Sequence, residues 1–249
     1  MRAAVVLVSV VLMVTSACGD DGDGDGGQQQ GSASPVPTIT VSPIDPAHVT
    51  AVSKFRSCSG HDFSPGVHGK GGPDTERARS MKHYLKTDVT LTPAGQVQIL
   101  APFDGTVDIQ TETFDLGKQI YVTSGDWSAR IFHIDPTVAD GAEVKAGDVI
   151  GTIAPTNAVE MLGDHVGPNG EPTTYEFDIA VTSTDDREYV SMFDLMNPAV
   201  AARWAARGFT ATNTLITRAE RDAAPCELGP DGERFANQEE DPADWVSAA

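Results

Sequence analysis

The sequence predicts a mainly β domain, an antiparallel sheet assembly closed by a short C-terminal helix. Three observations predict it. From about residue 88 apolar residues recur with period 2, turn residues separate the runs, and one later segment switches to helical spacing between a start and a stop signal. Taken in order, QVQILA places Val97, Ile99 and Ala101 on one face. DGTVDIQT follows an Asp104-Gly105 turn with Val107 and Ile109, and KQIYVT supplies Ile120 and Val122. WSARIFHI puts Trp127, Ala129, Ile131 and His133 on one side, and TTYEFDIAV does the same with Tyr175, Phe177, Ile179 and Val181. The helix is NPAVAARWAARG, with Asn197 as N-cap, Pro198 at the first helical position and Gly208 as the stop. A second short helix is expected near residues 217–223.

The chain has 249 residues, 17 Lys plus Arg against 36 Asp plus Glu, and a formal net charge of −19. That length suffices for one well-cored domain. The acidic balance argues against a nucleic-acid partner, because a polyphosphate would be repelled at nearly every approach. Three cysteines are too few for a disulfide scaffold and show no C-x-x-C spacing.

Residues 1–17 have a positive start at Arg2, an apolar run from Ala3 to Val14 and the small residues Thr15-Ser16-Ala17 before Cys18. The run is short for a bilayer span and fits a signal peptide. Small residues ending in Cys resemble a bacterial lipoprotein processing box, which implies cleavage before Cys18, a lipid on its sulfur and a position at the cell membrane, on the extracytoplasmic side. Residues 18–47 are rich in Gly, Asp, Gln, Ser and then Pro, the composition of a disordered, solvated linker. The remaining pair, Cys58 and Cys226, is expected to form one disulfide in an oxidising compartment. Organisation is therefore read as 1–17 signal peptide, 18–47 lipid-anchored linker, 48–225 β domain with an N-terminal extension and helix, and 226–249 acidic C-terminal segment.

Three motifs from about residue 80 to 182 resemble the lysostaphin/LytM-type zinc metallopeptidases, whose fold is the duplicated hybrid motif. They are Ala101-Pro-Phe-Asp-Gly-Thr-Val107, Ile131-Phe-His-Ile134, and the run from Val138 to Gly151 that matches V-x-x-G-x-x-V-x-x-G-x-x-I-G. Gly105, Gly141, Gly147 and Gly151 lie where tight reversals or close backbone approach exclude a Cβ. The resemblance implies a zinc held by H-x-x-x-D and the second His of H-x-H, with two further histidines assisting cleavage of cell-wall peptides.

Carried over residue by residue, the motif is incomplete. His83 stands five residues before Asp88 rather than four, and the position four before Asp88 is Tyr84. His133 matches an assisting His. Thr174 and Glu176 replace both histidines of H-x-H, and the same strand face continues to Asp178. A residual metal site would comprise His83, Asp88 and Glu176; the groove would comprise Thr174, Glu176, Asp178 and His133, with Tyr175, Trp127 and Phe132 as candidate aromatic contacts. With two ligand positions altered, no cofactor is expected, zinc being the metal the resemblance would admit. His61-Asp62 after Cys58 is expected to be structural even if it folds over the groove, and His165 to be a solvated loop residue. The expected function is a non-catalytic LytM-like envelope lipoprotein that binds peptidoglycan or regulates a cell-wall hydrolase. The alternative is a metallopeptidase with substituted ligands, His133 handling the proton.

Overall fold

A computed structural model of the chain describes residues 34–67, 75–88, 97–111, 118–153, 174–236 and 241–249. Its described strands join one mainly antiparallel sheet. In chain order they are β1 (Val49–Ser53), β2 (His83–Asp88), β3 (Gln98–Leu100), β4 (Gly105–Thr111), β5 (Lys118–Ser124), β6 (Trp127–Pro136), β7 (Glu143–Val144), β8 (Val149–Ile153), β9 (Thr174–Ser183), β10 (Tyr189–Val190) and β11 (Trp245–Ser247). The spatial order is β11-β1-β2-β9-β6-β5-β4-β7, with β10 on β9 and β8 bridging β3 and β6. The mainly β, antiparallel class expected from the period-2 pattern is what the structure shows.

Alternation sorts the two faces. Leu85, Ile131, Phe177, Ile179 and Val181 point to one side with Ile120 and Val122, forming a core that also takes Val97, Ile99, Ala101 and Val107. Tight approach explains two of the motif glycines: a Cβ at Gly105 would fall 2.5 Å from the Thr123 carbonyl oxygen, and one at Gly151 would fall 2.8 Å from that of Asp135. Thr174 and Tyr175 lie in β9, but their side chains fall outside the described residues.

Helix α1 (Met192–Leu195) was not anticipated. It starts at Ser191, whose hydroxyl accepts from the Phe193 amide. Helix α2 (Pro198–Ala205) forms where expected: the Asn197 side chain accepts from the Val200 amide, and Val200 and Trp204 are its buried face. Helix α3 (Arg218–Ala223) begins with a reciprocal capping box between Thr217 and Glu220.

Two boundaries need correction. Residues 34–47 belong to the folded body rather than to a linker reaching residue 47. Ile39 and Ile44 are buried in the main core, and the Trp127 indole donates to the Ser34 carbonyl at 3.1 Å. Their Pro-rich composition reads as extended chain, and extended chain can also be packed. Residues 226–249 are likewise no separate segment: β11 completes the sheet edge beside β1, and Phe235 is buried. The expected Cys58–Cys226 disulfide is present, with the two Cα atoms 5.5 Å apart. Arg221 braces it, donating to Cys58 Sγ, to the Arg56 carbonyl and to Asp244, which in turn accepts from the Cys58 amide. Residues 1–33, with the expected signal peptide and Cys18, lie outside the described residues.

Candidate functional site

The site implied by the sequence lies on β2, β9 and β6. Register settles which side chains can meet there. Tyr84 stands opposite Asp178, Lys86 opposite Glu176 and Asp88 opposite Thr174, so these positions share one face. His83 stands opposite Ile179 and shares the core face with Leu85. Its Nδ1 lies 2.8 Å from the Ser53 carbonyl and its Nε2 2.9 Å from the Ser191 hydroxyl, while the Phe55 and Phe193 rings pack against it. Burial lowers its pKa from 6.5 to about 4, so the imidazole is neutral. The expectation that His83 joins Asp88 and Glu176 is therefore corrected: strand alternation sends it through the sheet to the opposite side. The Asp88 side chain lies outside the described residues.

His133 also departs from simple alternation. The ladder between β5 and β6 shifts by one residue between Ile131 and Ile134, and His133 has φ +62°. That bulge turns its side chain away from Ile131's face and toward Asp178. His133 Nε2 lies 3.2 Å from Asp178 Oδ1.

The side chain that organises the face is one the sequence reading passed over. Lys82, just before β2, is buried and forms an ion pair with the fully buried carboxylate of Asp178. Its ammonium lies 4.7 Å from the ring centres of Tyr84 and Phe132 and 5.0 Å from that of Phe63. Nζ is also 3.1 Å from His61 Nε2, and His61 Nδ1 is 3.0 Å from the Asp62 carbonyl. The Nδ1 proton therefore goes to that carbonyl, and the Nε2 lone pair accepts from Lys82.

Electrostatics agree with this assignment. Burial by itself would lower the Lys82 pKa, but attraction to Asp178 outweighs it and leaves the pKa raised. The positive charge of Lys82 and then burial lower His61 to about 4. Burial raises Tyr84 to about 12. At neutral pH the Lys82 cation on this face pairs with Asp178 beside an uncharged His61, while His83, on the opposite side of the sheet, is uncharged as well.

His61 and Phe63 come from a strap, residues 57–64, laid over this face. Gly60 takes φ +70°, and any Cβ there would fall 2.0 Å from the Tyr84 hydroxyl oxygen. Asp62 anchors the strap by accepting from the Ser64 hydroxyl and from the Ala78 and Arg79 amides. Phe63 packs edge-on against Phe132 and Tyr189. The expected structural role of His61-Asp62 matches this placement.

The strap changes what the face can do. Glu176 is 6%, His133 7% and Asp178 0% exposed, so the expected groove presents little surface to a ligand. Trp127 lies in the main core and Phe132 in the second apolar cluster, so neither is an open aromatic contact. His165 lies outside the described residues. Among the described residues no three His, Cys, Asp or Glu side chains gather closely enough to hold a metal ion. The zinc implied by the resemblance does not fit the described side chains: one expected ligand faces the core, and an ammonium occupies the space before Asp178.

Open space lies beside this cluster instead. A cleft of 410 Å³ is lined by Thr75, Glu76, Arg187, Tyr189 and Arg218, with Met81 of the second apolar cluster in its wall. Glu76 is neutralised by Arg56 and Arg79, at 2.6 and 2.8 Å. The Arg187 and Arg218 side chains are exposed there and pair with Asp185 and Asp222, at 3.2 and 3.5 Å. No strand pattern could have pointed to the cleft, because its walls come from segments far apart in sequence.

No protein-family model matches this sequence, and no curated protein matches it. Among solved structures it is similar to lysostaphin, at 16% identity over 53% of this chain and 49% of that one, with a TM-score of 0.30. It is also similar to Helicobacter pylori Csd3, at 16% identity over 75% and 37% of the two chains, with a TM-score of 0.31. The deep-sea M23 metalloprotease pseudoalterin is 14% identical over 63% and 75%, with a TM-score of 0.33. The chain thus spans about half of lysostaphin and little over a third of Csd3.

Proposed function

We propose that the chain is a non-catalytic LytM-like module of the bacterial envelope that binds peptidoglycan peptides or regulates a cell-wall hydrolase. One observation carries the reading: the sheet face that the motifs make a catalytic floor is sealed by an internal Lys82–Asp178 ion pair, with His83 turned into the core. Hydrolysis at a metal needs three protein ligands and an open position for water, and a buried floor offers water no place. Binding falls instead to the open cleft, where the carboxylates of a peptide would exchange with Asp185 and Asp222 as partners of Arg187 and Arg218. A lipid on Cys18 holding the domain at the extracytoplasmic side of the membrane is part of the same proposal.

The test is co-sedimentation of the protein with purified cell wall, together with a release assay for soluble peptides. Saturable binding without release is expected, and Arg187→Glu with Arg218→Glu should weaken it about tenfold or more, as loss of charge-assisted contacts predicts. Turnover abolished by His133→Ala or Glu176→Ala would establish the metallopeptidase alternative. Failure to bind cell wall, with binding to a hydrolase, would select the regulatory form of the proposal.

A further inference from the structure

We propose that Lys82 and Asp178 condense to an intramolecular isopeptide bond, a covalent tie onto β9 made by the folded chain itself. Tyr84 stands opposite Asp178 in the ladder, and Lys82 lies two residues earlier, so its long side chain reaches the carboxylate along a diagonal of the sheet. The two groups meet as an ion pair away from solvent, with Lys82 2% and Asp178 0% exposed. The rings of Phe63, Tyr84 and Phe132 lie around the nitrogen and hold it there. Two histidines complete the setting, one at each reacting group. His61 Nε2 lies 3.1 Å from Nζ with its lone pair turned toward it, because the Nδ1 proton goes to the Asp62 carbonyl. His133 Nε2 lies 3.2 Å from Asp178 Oδ1.

The reaction needs no reactant beyond the pair. A proton passes from Nζ to Asp178 Oδ2, which turns two buried charges into a neutral amine and a carboxylic acid. Nζ then attacks Cγ and the C–N bond forms, while His133 Nε2–H donates to Oδ1, where negative charge develops. His61 Nε2 takes the second proton from the nitrogen and passes it to the Oδ2 hydroxyl; the Cγ–Oδ2 bond breaks and one water leaves. The Lys82 charge is the chief cause of the low His61 pKa, so His61 regains basicity as the nitrogen gives that charge up. Holding amine and carboxyl in contact removes the entropic barrier that blocks the same condensation between free groups in water. The amide also ends the cost of keeping two ions inside the protein, which drives the step forward. This inference does not depend on what the open cleft binds.

The experiment is mass spectrometry of the folded full chain, denatured and with its disulfide reduced before measurement. The wild type should be lighter by one water than the unlinked chain. Tryptic digestion should give peptide 80–86, uncut at Lys82, joined to peptide 146–187, with fragmentation placing the link on Asp178. Lys82→Arg keeps the cation and should show neither the lost water nor the joined peptide. His61→Gln should form the bond about a hundredfold more slowly, as loss of a proton acceptor predicts, and be isolated mainly unlinked when freshly made. Trypsin cleavage after Lys82 in the folded wild type, with peptide 146–187 released free, would overturn the inference. So would a link from Lys82 to Glu176, or a water lost elsewhere with the Lys82 amine still free. Full linkage in freshly made His61→Gln would overturn the proton route through His61. The bond itself is read on the wild type, so a variant that fails to fold does not blunt the test. Cell-wall binding is a separate measurement, and failure here leaves the proposed function standing.

Discussion

Acidification from pH 7.5 to pH 5 should cost the folded state about 2 kcal/mol through His83 alone. The folded pKa of about 4 lies below the ordinary 6.5 because burial disfavours the imidazolium. The unfolded chain therefore binds the proton first as pH falls. Stability from the neutral ring is full above pH 6.5, declines below it and is lost as pH passes 4. The groups packed on the ring are the Ser53 carbonyl, the Ser191 hydroxyl and the Phe55 and Phe193 faces, none of which supplies a charge to offset burial. His61 titrates in the same window for a different reason, so both proteins compared should carry His61→Gln. Urea unfolding followed by tryptophan fluorescence at several pH values would then compare this background with and without His83→Gln. The added substitution should flatten the acid limb by about 2 kcal/mol. Equal acid sensitivity in both, or an imidazole that titrates near 6.5 by NMR, would refute the core placement of His83.

Three further outcomes follow from the fold. Replacing both Cys58 and Cys226 by Ser opens a bridge across 168 residues, worth about 5 kcal/mol in the chain-entropy model; equal urea midpoints for bridged and unbridged protein would contradict it. Ile39→Ala and Ile44→Ala should each cost about 2–5 kcal/mol because both side chains are fully enclosed, whereas a solvated linker would lose nothing. Trp204→Ala should cost about 3–5 kcal/mol in the same assay, since the indole is fully buried between Phe193 and Phe209 and donates to the Ser42 hydroxyl.

Much of the sheet was legible because alternation is local and survives in any half-buried strand. Val97, Ile99, Ile120, Val122, Phe177 and Ile179 all face the core as their spacing predicts. The cap of α2 was equally readable, since Asn197 acts on an amide three residues away. Alternation misled at two places where it should have been applied differently. At His83 the period itself was right, and it places the ring opposite Glu176's face; counting residues to Asp88 hid that. At His133 a bulge broke the period, which a sequence without a glycine at that point does not announce. Lys82 was passed over because a lysine beside a strand is usually solvated. A signal was nevertheless present: Lys82, Tyr84 and Lys86 alternate onto the face of Glu176 and Asp178. What no local pattern contains is the strap, since its burial depends on residues 233–235, far along the chain.

The pairing of β1 with β11 has a consequence for how the molecule comes into being. β1 is made early, yet the strand that covers its outer edge contains Trp245–Ser247, and the bridge from Cys58 waits for Cys226. Until those residues appear, the growing chain carries a bare β edge and a free thiol, both openings to association with other chains. Protection of the nascent chain by a chaperone, or fast delivery of the whole polypeptide, would matter more for this protein than for one whose edges close with neighbouring hairpins.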